Sequence, residues 1–279
     1  MDKIKIITDS TSDLPIEIIN KYDIHVIPLL VTFPEKTYKD RVDITLAEVF
    51  DKIDNEGTFP STSQVNPQRF VDCYKSYLDQ GYKIVSIHLS SKMSGTYQSA
   101  CIAKGILESE DIEIIDSQNV TSGLGLLVIK ACNLREQGLN YIEISNEIKE
   151  AIPHVKSVLA FETLDYLVKG GRLSKTGGFI GNVLGIKPIL AVENGEMVIK
   201  DKVRGSKKAI RAVNEYLKRV GIKPSEQSIL LHVQNKDILS VLRENLSDDD
   251  IPFIECEVGC VVGIYAGPGA CGVFFIENY

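Results

Sequence analysis

The 279 residues predict an α/β protein with two domains, an N-terminal parallel sheet flanked by helices and a C-terminal mixed or antiparallel α/β unit. Three observations carry that expectation. Short β-branched runs alternate with amphipathic helical stretches through the first half. The second half changes rhythm, with closely spaced strands and one strong hairpin signal. The length suits one large or two medium domains, because single cores stop growing at about 250–300 residues.

Lys3–Thr8 (KIKIIT) reads as a buried strand, and Ile24–Thr32 (IHVIPLLVT) as a second despite Pro28. Thr45–Asp54 and Pro67–Gln80 have helical spacing, the latter with Phe70, Cys73, Tyr74 and Tyr77 on one face. Strands follow at Lys83–Leu89 and Ile112–Asp116, with a helix between them over Ser94–Glu108. Helices at Val120–Glu136 and Tyr141–Val155 complete this half. Strands spaced by helices of this length imply a parallel sheet covered on both faces. A boundary near Pro153–Lys156 divides the chain into residues 1–155 and 156–279.

Beyond it, Val158–Glu162 reads as a strand and Leu164–Lys169 as a helix, followed by a Gly-rich passage from Gly170 to Gly185. Ile189–Glu193 and Glu196–Asp201 flank Asn194-Gly195, the strongest short hairpin signal. Helices are expected at Ser206–Arg219 and Lys236–Leu246, on either side of a strand at Ser228–Val233. Phe253–Val258, Val261–Tyr265 and Gly272–Ile276 read as further strands.

Composition narrows the function. With 44% apolar and 25% charged residues, the chain is neither disordered, collagen-like nor a small disulfide scaffold. Its 31 basic against 38 acidic residues leave a formal charge of −7. That argues against a nucleic-acid binder or a polybasic membrane anchor, both of which need a basic face. The six cysteines (Cys73, Cys101, Cys132, Cys256, Cys260 and Cys271) form no CxxC pair and read as small buried apolar residues. The uncharged run Val258–Ile276 has the 19 residues of a membrane span, but five glycines and Pro268 interrupt it. It reads instead as two buried strands around a tight turn. No apolar stretch of signal-peptide length precedes Asp9, so a soluble, cytoplasmic protein is expected.

Polar chemistry gathers in four hydroxyl-rich segments: Thr8–Pro15 (TDSTSDLP), Pro60–Pro67 (PSTSQVNP), Ser90–Ala100 (SSKMSGTYQSA) and Asp116–Gly123 (DSQNVTSG). In open parallel sheets, ligands bind beyond the carboxyl ends of the strands, where such loops converge. Helix capping alone accounts for Ser12 or Asp13 before Pro15, and for Ser94; four loops together point to a site. Ser94-Gly95-Thr96 opens a helix, placing free N–H groups beside a hydroxyl in positive potential. That end suits one carboxylate better than a polyphosphate.

Several catalytic motifs fail. Gly267–Gly272 (GPGACG) matches GxGxxG literally, yet a strand-like VFFIENY follows where the dinucleotide fingerprint needs a helix. There is no GxxxxGK[ST] and no GxSxG, and Lys175-Thr176-Gly177 lacks the Ser-x-x-Lys it would accompany. His25, His88, His154 and His232 show no metal-ligand spacing. Ser94, His88 and Asp116 can be drawn as a serine hydrolase, although His88 lies on an expected buried strand and a catalytic His must come within ~3 Å of its nucleophile. Recognition of a small molecule is the better reading, with a hydrolase or a binder of another small carboxylate as alternatives.

These same residues resemble the DegV family of bacterial fatty-acid-binding proteins, which includes the FakB subunits of fatty acid kinase. TDSTSDLP, PSTSQ (Pro60–Gln64) and SGTYQSA (Ser94–Ala100) are similar to its N-terminal motifs. LDYLVKGGRLS (Leu164–Ser174), GIKPIL (Gly185–Leu190) and GPGACG are similar to its C-terminal ones. The resemblance implies a long-chain fatty acid such as palmitate buried in a tunnel, with no other cofactor and no metal. Its carboxylate would be held by Thr62 and Ser94, with the Gly95 amide as a third donor. The chain would supply no catalytic group. It would present the acid to a separate kinase with a dihydroxyacetone-kinase-like domain, and the acyl phosphate would feed phospholipid synthesis. Arg172, in KGGRLS, matches a family arginine implicated in kinase docking, or else caps a helix C-terminus. The family's usual His before the GPG turn is Tyr265 here, either a neutral hydrogen-bonding member of the head-group site or a packing residue.

Overall fold

The structure is a computed structural model that describes residues 2–173, 185–235 and 237–279. In chain order the first half runs β1 (Lys3–Asp9), α1 (Ile16–Lys21), β2 (His25–Ile27), β3 (Leu30–Thr32), β4 (Thr37–Lys39), α2 (Leu46–Glu56) and β5 (Ser61–Ser63). It continues with α3 (Pro67–Leu78), β6 (Tyr82–His88), α4 (Thr96–Leu107), β7 (Ile112–Asp116), α5 (Ser122–Glu136) and α6 (Tyr141–Ala151). The second half comprises β8 (Val155–Ala160), α7 (Asp165–Lys169), β9 (Ile186–Glu193), β10 (Glu196–Arg204), α8 (Ser206–Val220) and β11 (Ser228–His232). It ends with α9 (Asp237–Asp248), β12 (Phe253–Glu257), α10 (Cys260–Ala266) and β13 (Cys271–Ile276).

The expected α/β architecture is present. β2-β1-β6-β7 form a parallel sheet, β10-β9-β8-β13-β11-β12 a mixed one, and β4-β3-β5 a small antiparallel sheet. Strand alternation assigns the layers. Ile7, Ile84 and Ile112 pack with Phe70 and Tyr74 of α3 and Ala100 and Ala103 of α4. Ile6, Val85 and Ile115 face α5 and α6 on the other side. On β13, Phe274 and Ile276 face α5, while Val273 and Phe275 face α8 and α9. Helix α5 packs against both large sheets and is buried on nearly every side, from Leu124 to Leu134, as a helix apolar all round must be.

Local signals explain the element ends. Thr45 and Glu48 form a capping box on α2, which Gly57 ends, and Asn140 with Glu143 does the same for α6. Asn66 caps α3 ahead of Pro67 at its first turn. Asn194 and Gly195, both at positive φ, turn β9 into β10.

Four expectations need correction. Ile24–Thr32 is two strands in two sheets: Pro28 cannot donate to a ladder, and the Leu29 N–H is taken by the Ser10 hydroxyl. The helix expected to Val155 ends at Ala151, and a short 3-10 turn precedes β8. Val261–Tyr265 is not a strand but most of α10. Its Gly263 lets the helix lie against Leu46, where a Cβ would collide. A short β-branched run has no periodicity to separate the two states. The caps expected from Ser12 or Asp13 are absent, since Pro15 stands at the N-cap of α1 with no side-chain cap and Asp13 bonds elsewhere. Within the Gly-rich passage, Ser174 and Lys175-Thr176-Gly177 lie outside the described residues.

Candidate functional site

Loops at the carboxyl ends of β1, β6 and β7 face the α5 side of the mixed sheet, and a cavity of about 180 Å³ lies between them. Thr11, Met93, Val120 and Thr121 come from the loops, and Leu159, Phe161, Leu231 and Val233 from the mixed-sheet side. Val261, Val262 and Ala266 of α10 form another wall. Among the lining residues Thr62, Gln64, Ser94, Gly95, Arg172 and Tyr265 supply a polar set. All five residues singled out by sequence therefore line one cavity.

Their geometry differs from residue to residue. The Thr62 Oγ1 and Tyr265 Oη lie 2.5 Å apart, joining β5 to α10. The Ser94 Oγ contacts Thr96 Oγ1 at 3.0 Å and accepts from the Thr96 N–H at 3.3 Å. Gly95 is the N-cap residue of α4, which has no side-chain cap and no acidic residue in its first turn. No side chain of that first turn offsets the positive potential there. Gln64, which sequence reasoning did not single out, donates to Ser99 Oγ at 3.0 Å and packs on Gly95. Its place in PSTSQ was the available signal. Arg172 donates from Nε to the Met93 carbonyl at 3.3 Å and from Nη1 to the Gly170 carbonyl at 2.6 Å. Its guanidinium sits 4.8 Å from the Tyr265 ring centroid.

The Ser94–His88–Asp116 arrangement is not assembled. His88 Nδ1 lies 3.0 Å from Asp9 Oδ2, and its Nε2 lies 2.7 Å from Ser86 Oγ. Asp116 instead accepts from Ser91 and from the Gln118 N–H. Asp9, His88, Ser86 and Tyr74 form one hydrogen-bonded chain, each with 0% exposure. A sealed chain of this kind holds strand ends together; no substrate reaches it.

Two more carboxylates are buried at the start of α10. Asp13 accepts from the Gly259 N–H at 2.8 Å and from Thr121 Oγ1 at 2.6 Å. Burial pushes its pKa up to about 7, against the pull of Arg41 and Thr121. Asp40 accepts from the Ser10 hydroxyl and from the Cys260 N–H, and burial raises it too. Together they fasten the start of α10, and hence the wall bearing Tyr265, to the loops after β1 and β4. Thr121 is strained, a β-branched residue at φ 49° and ψ −131°, and its bond to Asp13 holds it there. Burial raises Cys256, Cys260 and Cys271 to about 12 each, so these thiols act as small apolar groups.

Comparison with known proteins places the chain among relatives. The family model described as "Uncharacterised protein, DegV family" matches residues 3–278. A DegV domain-containing protein of Clostridium acetobutylicum is 61% identical over 279 residues, covering 100% of both chains. A Thermus thermophilus DegV family structure, described by its fatty acid binding, is 30% identical with a TM-score of 0.92, over 99% of this chain and 100% of that one. DegV of Bacillus subtilis, described as a fatty acid binding protein, is 30% identical with a TM-score of 0.88 over 100% of both.

Proposed function

The chain belongs to the DegV family, and from that footing we propose that it buries a long-chain fatty acid and presents the carboxylate to a separate acyl kinase. The carrying observation is the cavity itself, apolar along most of its lining and supplied with neutral hydrogen donors from Thr62, Ser94, Gly95 and Tyr265. Homologues that bind fatty acids support the same reading. Tyr265 backs Thr62, and the end of α4 adds the Gly95 amide.

Energetics decide the division of labour. Burying about 14–16 methylenes at ~0.8 kcal/mol each gives on the order of 11–13 kcal/mol before ordering costs. The chain then supplies affinity, and the head contacts fix where the carboxylate lies. Presenting it for acyl-phosphate formation needs that fixed position, while the phosphoryl chemistry belongs to the ATP-using partner with its dihydroxyacetone-kinase-like domain. Arg172, exposed at the rim, is a contact for that partner. In this reading the protein is a cytoplasmic, non-catalytic subunit serving phospholipid synthesis.

Mass spectrometry of protein purified from cells and then denatured tests the first step: a copurified saturated or monounsaturated fatty acid is expected, and none after loading with excess acid rejects the proposal. Reconstitution with a candidate kinase and ATP tests the second by acyl-phosphate formation.

A further inference from the structure

Of the described side chains lining the cavity, only that of Arg172 carries a formal charge at neutral pH. The other polar groups are hydroxyls, an amide side chain and backbone. Thr62 and Tyr265 are already bonded to each other, so one of their two hydroxyl protons is used inside the pair and one is left to donate outward. A carboxylate has about four lone-pair sites to satisfy. The chain's formal charge of −7 also works against any anion approaching. Neutral donors orient a carboxylate, but they do not offset that repulsion.

Arg172 is built to do so. Its Nε and Nη1 are committed to the Met93 and Gly170 carbonyls, one from each half of the chain, and its plane rests over the Tyr265 ring. A guanidinium has five N–H donors, so those two bonds leave others unspent. It makes no ion pair among the described residues. Gly170 is part of the device: a Cβ there would run into the Tyr265 ring, and its absence lets the ring lie beneath the guanidinium. Three anchors hold the cation at the mouth before any ligand arrives.

We infer that Arg172, seated on Tyr265, is the counter-charge by which the cavity selects an ionised carboxylate head over a neutral head of equal chain length. The inference rests on the fatty-acid reading above and gives Arg172 an inward role in addition to any partner contact. Tyr265 thereby acts through its ring face as well as through its hydroxyl.

The test compares hexadecanoate with hexadecanol on delipidated full-length protein. Because Arg172 is exposed and open to salt, Arg172→Gln is expected to weaken acid binding roughly five- to tenfold and leave alcohol binding unchanged. Arg172→Lys and Tyr265→Phe are expected to keep much of the preference, and Tyr265→Leu, which removes the platform, to lose it. With carbon-13 carboxyl-labelled acid, the bound carboxyl should titrate at higher pH in Arg172→Gln than in the parent. Equal loss for acid and alcohol, or an unchanged preference and titration with only kinase transfer impaired, overturns the inference while leaving the fatty-acid reading intact. Failure of the parent protein to bind either compound overturns both.

Discussion

Two polar regions lie within one structure and are built on opposite rules. Away from the cavity lining, Asp9, Asp13 and Asp40 are buried and satisfied by internal donors: Thr11, Leu89 and His88 for the first, Gly259 and Thr121 for the second, Ser10 and Cys260 for the third. At the mouth, Thr62, Ser94 and Tyr265 are neutral, half-buried and bonded to one another or to a neighbour. Saturated charge fixes loops in place; the neutral groups line the cavity and tie β5 to α10. Mutations should separate the two along a gradient of stability.

The largest stability loss is expected among the buried carboxylates. Asp9→Ala strands the Thr11 N–H and hydroxyl, the Leu89 N–H and His88, and should cost about 3–5 kcal/mol in urea denaturation. Asp13 gives a pH signature. It holds its proton more tightly folded than unfolded, so its contribution is intact below pH about 4 and lost as pH rises through about 7. Asp13→Asn should match the parent near the acid end of that window. It should be the more stable protein above it, by a few kcal/mol at roughly 1.4 per pKa unit. A denaturation series across the window that shows parallel curves removes Asp13 from this role.

Gly263→Ala sits between the regions. Its methyl meets Leu46, so overpacking of about 1–3 kcal/mol is expected, read as a lowered melting temperature. Smallest in stability is the pair Thr62→Ala with Ser94→Ala, below about 1.5 kcal/mol per hydroxyl. Acyl retention in that double variant should change less than tenfold, while phosphorylation of the bound acid falls about 100-fold because its position is lost. Normal phosphorylation in the double variant breaks the distinction drawn between the regions.

The periodic elements were legible because their causes are local. β-branched runs, capping boxes and Asn194-Gly195 each act within a few residues. So was the convergence of the hydroxyl-rich loops after β1, β6 and β7, since a parallel sheet places those ends together whatever the sequence between. What sequence hid is tertiary. Whether Asp13 caps a helix or accepts from the Gly259 N–H, 246 positions away, is decided by a fold that brings the two together. The run Cys260–Ala266 becomes a helix because Asp13 and Asp40 wait for its first N–H groups and Gly263 fits Leu46. None of those partners lies nearby in the chain. The three-residue strand β5 has no recognisable period, yet it carries Thr62 to Tyr265, 203 positions on.

Strand β13 lies inside the mixed sheet, antiparallel to both β8 and β11. Until Ile276 has left the ribosome, those two strands have nothing between them and the cavity lacks part of its floor, whatever length of chain follows. Closure of the cavity is thereby deferred until β13 has been made. A nascent chain stalled earlier would leave Leu159 and Leu231, buried in the finished sheet, as an open apolar face.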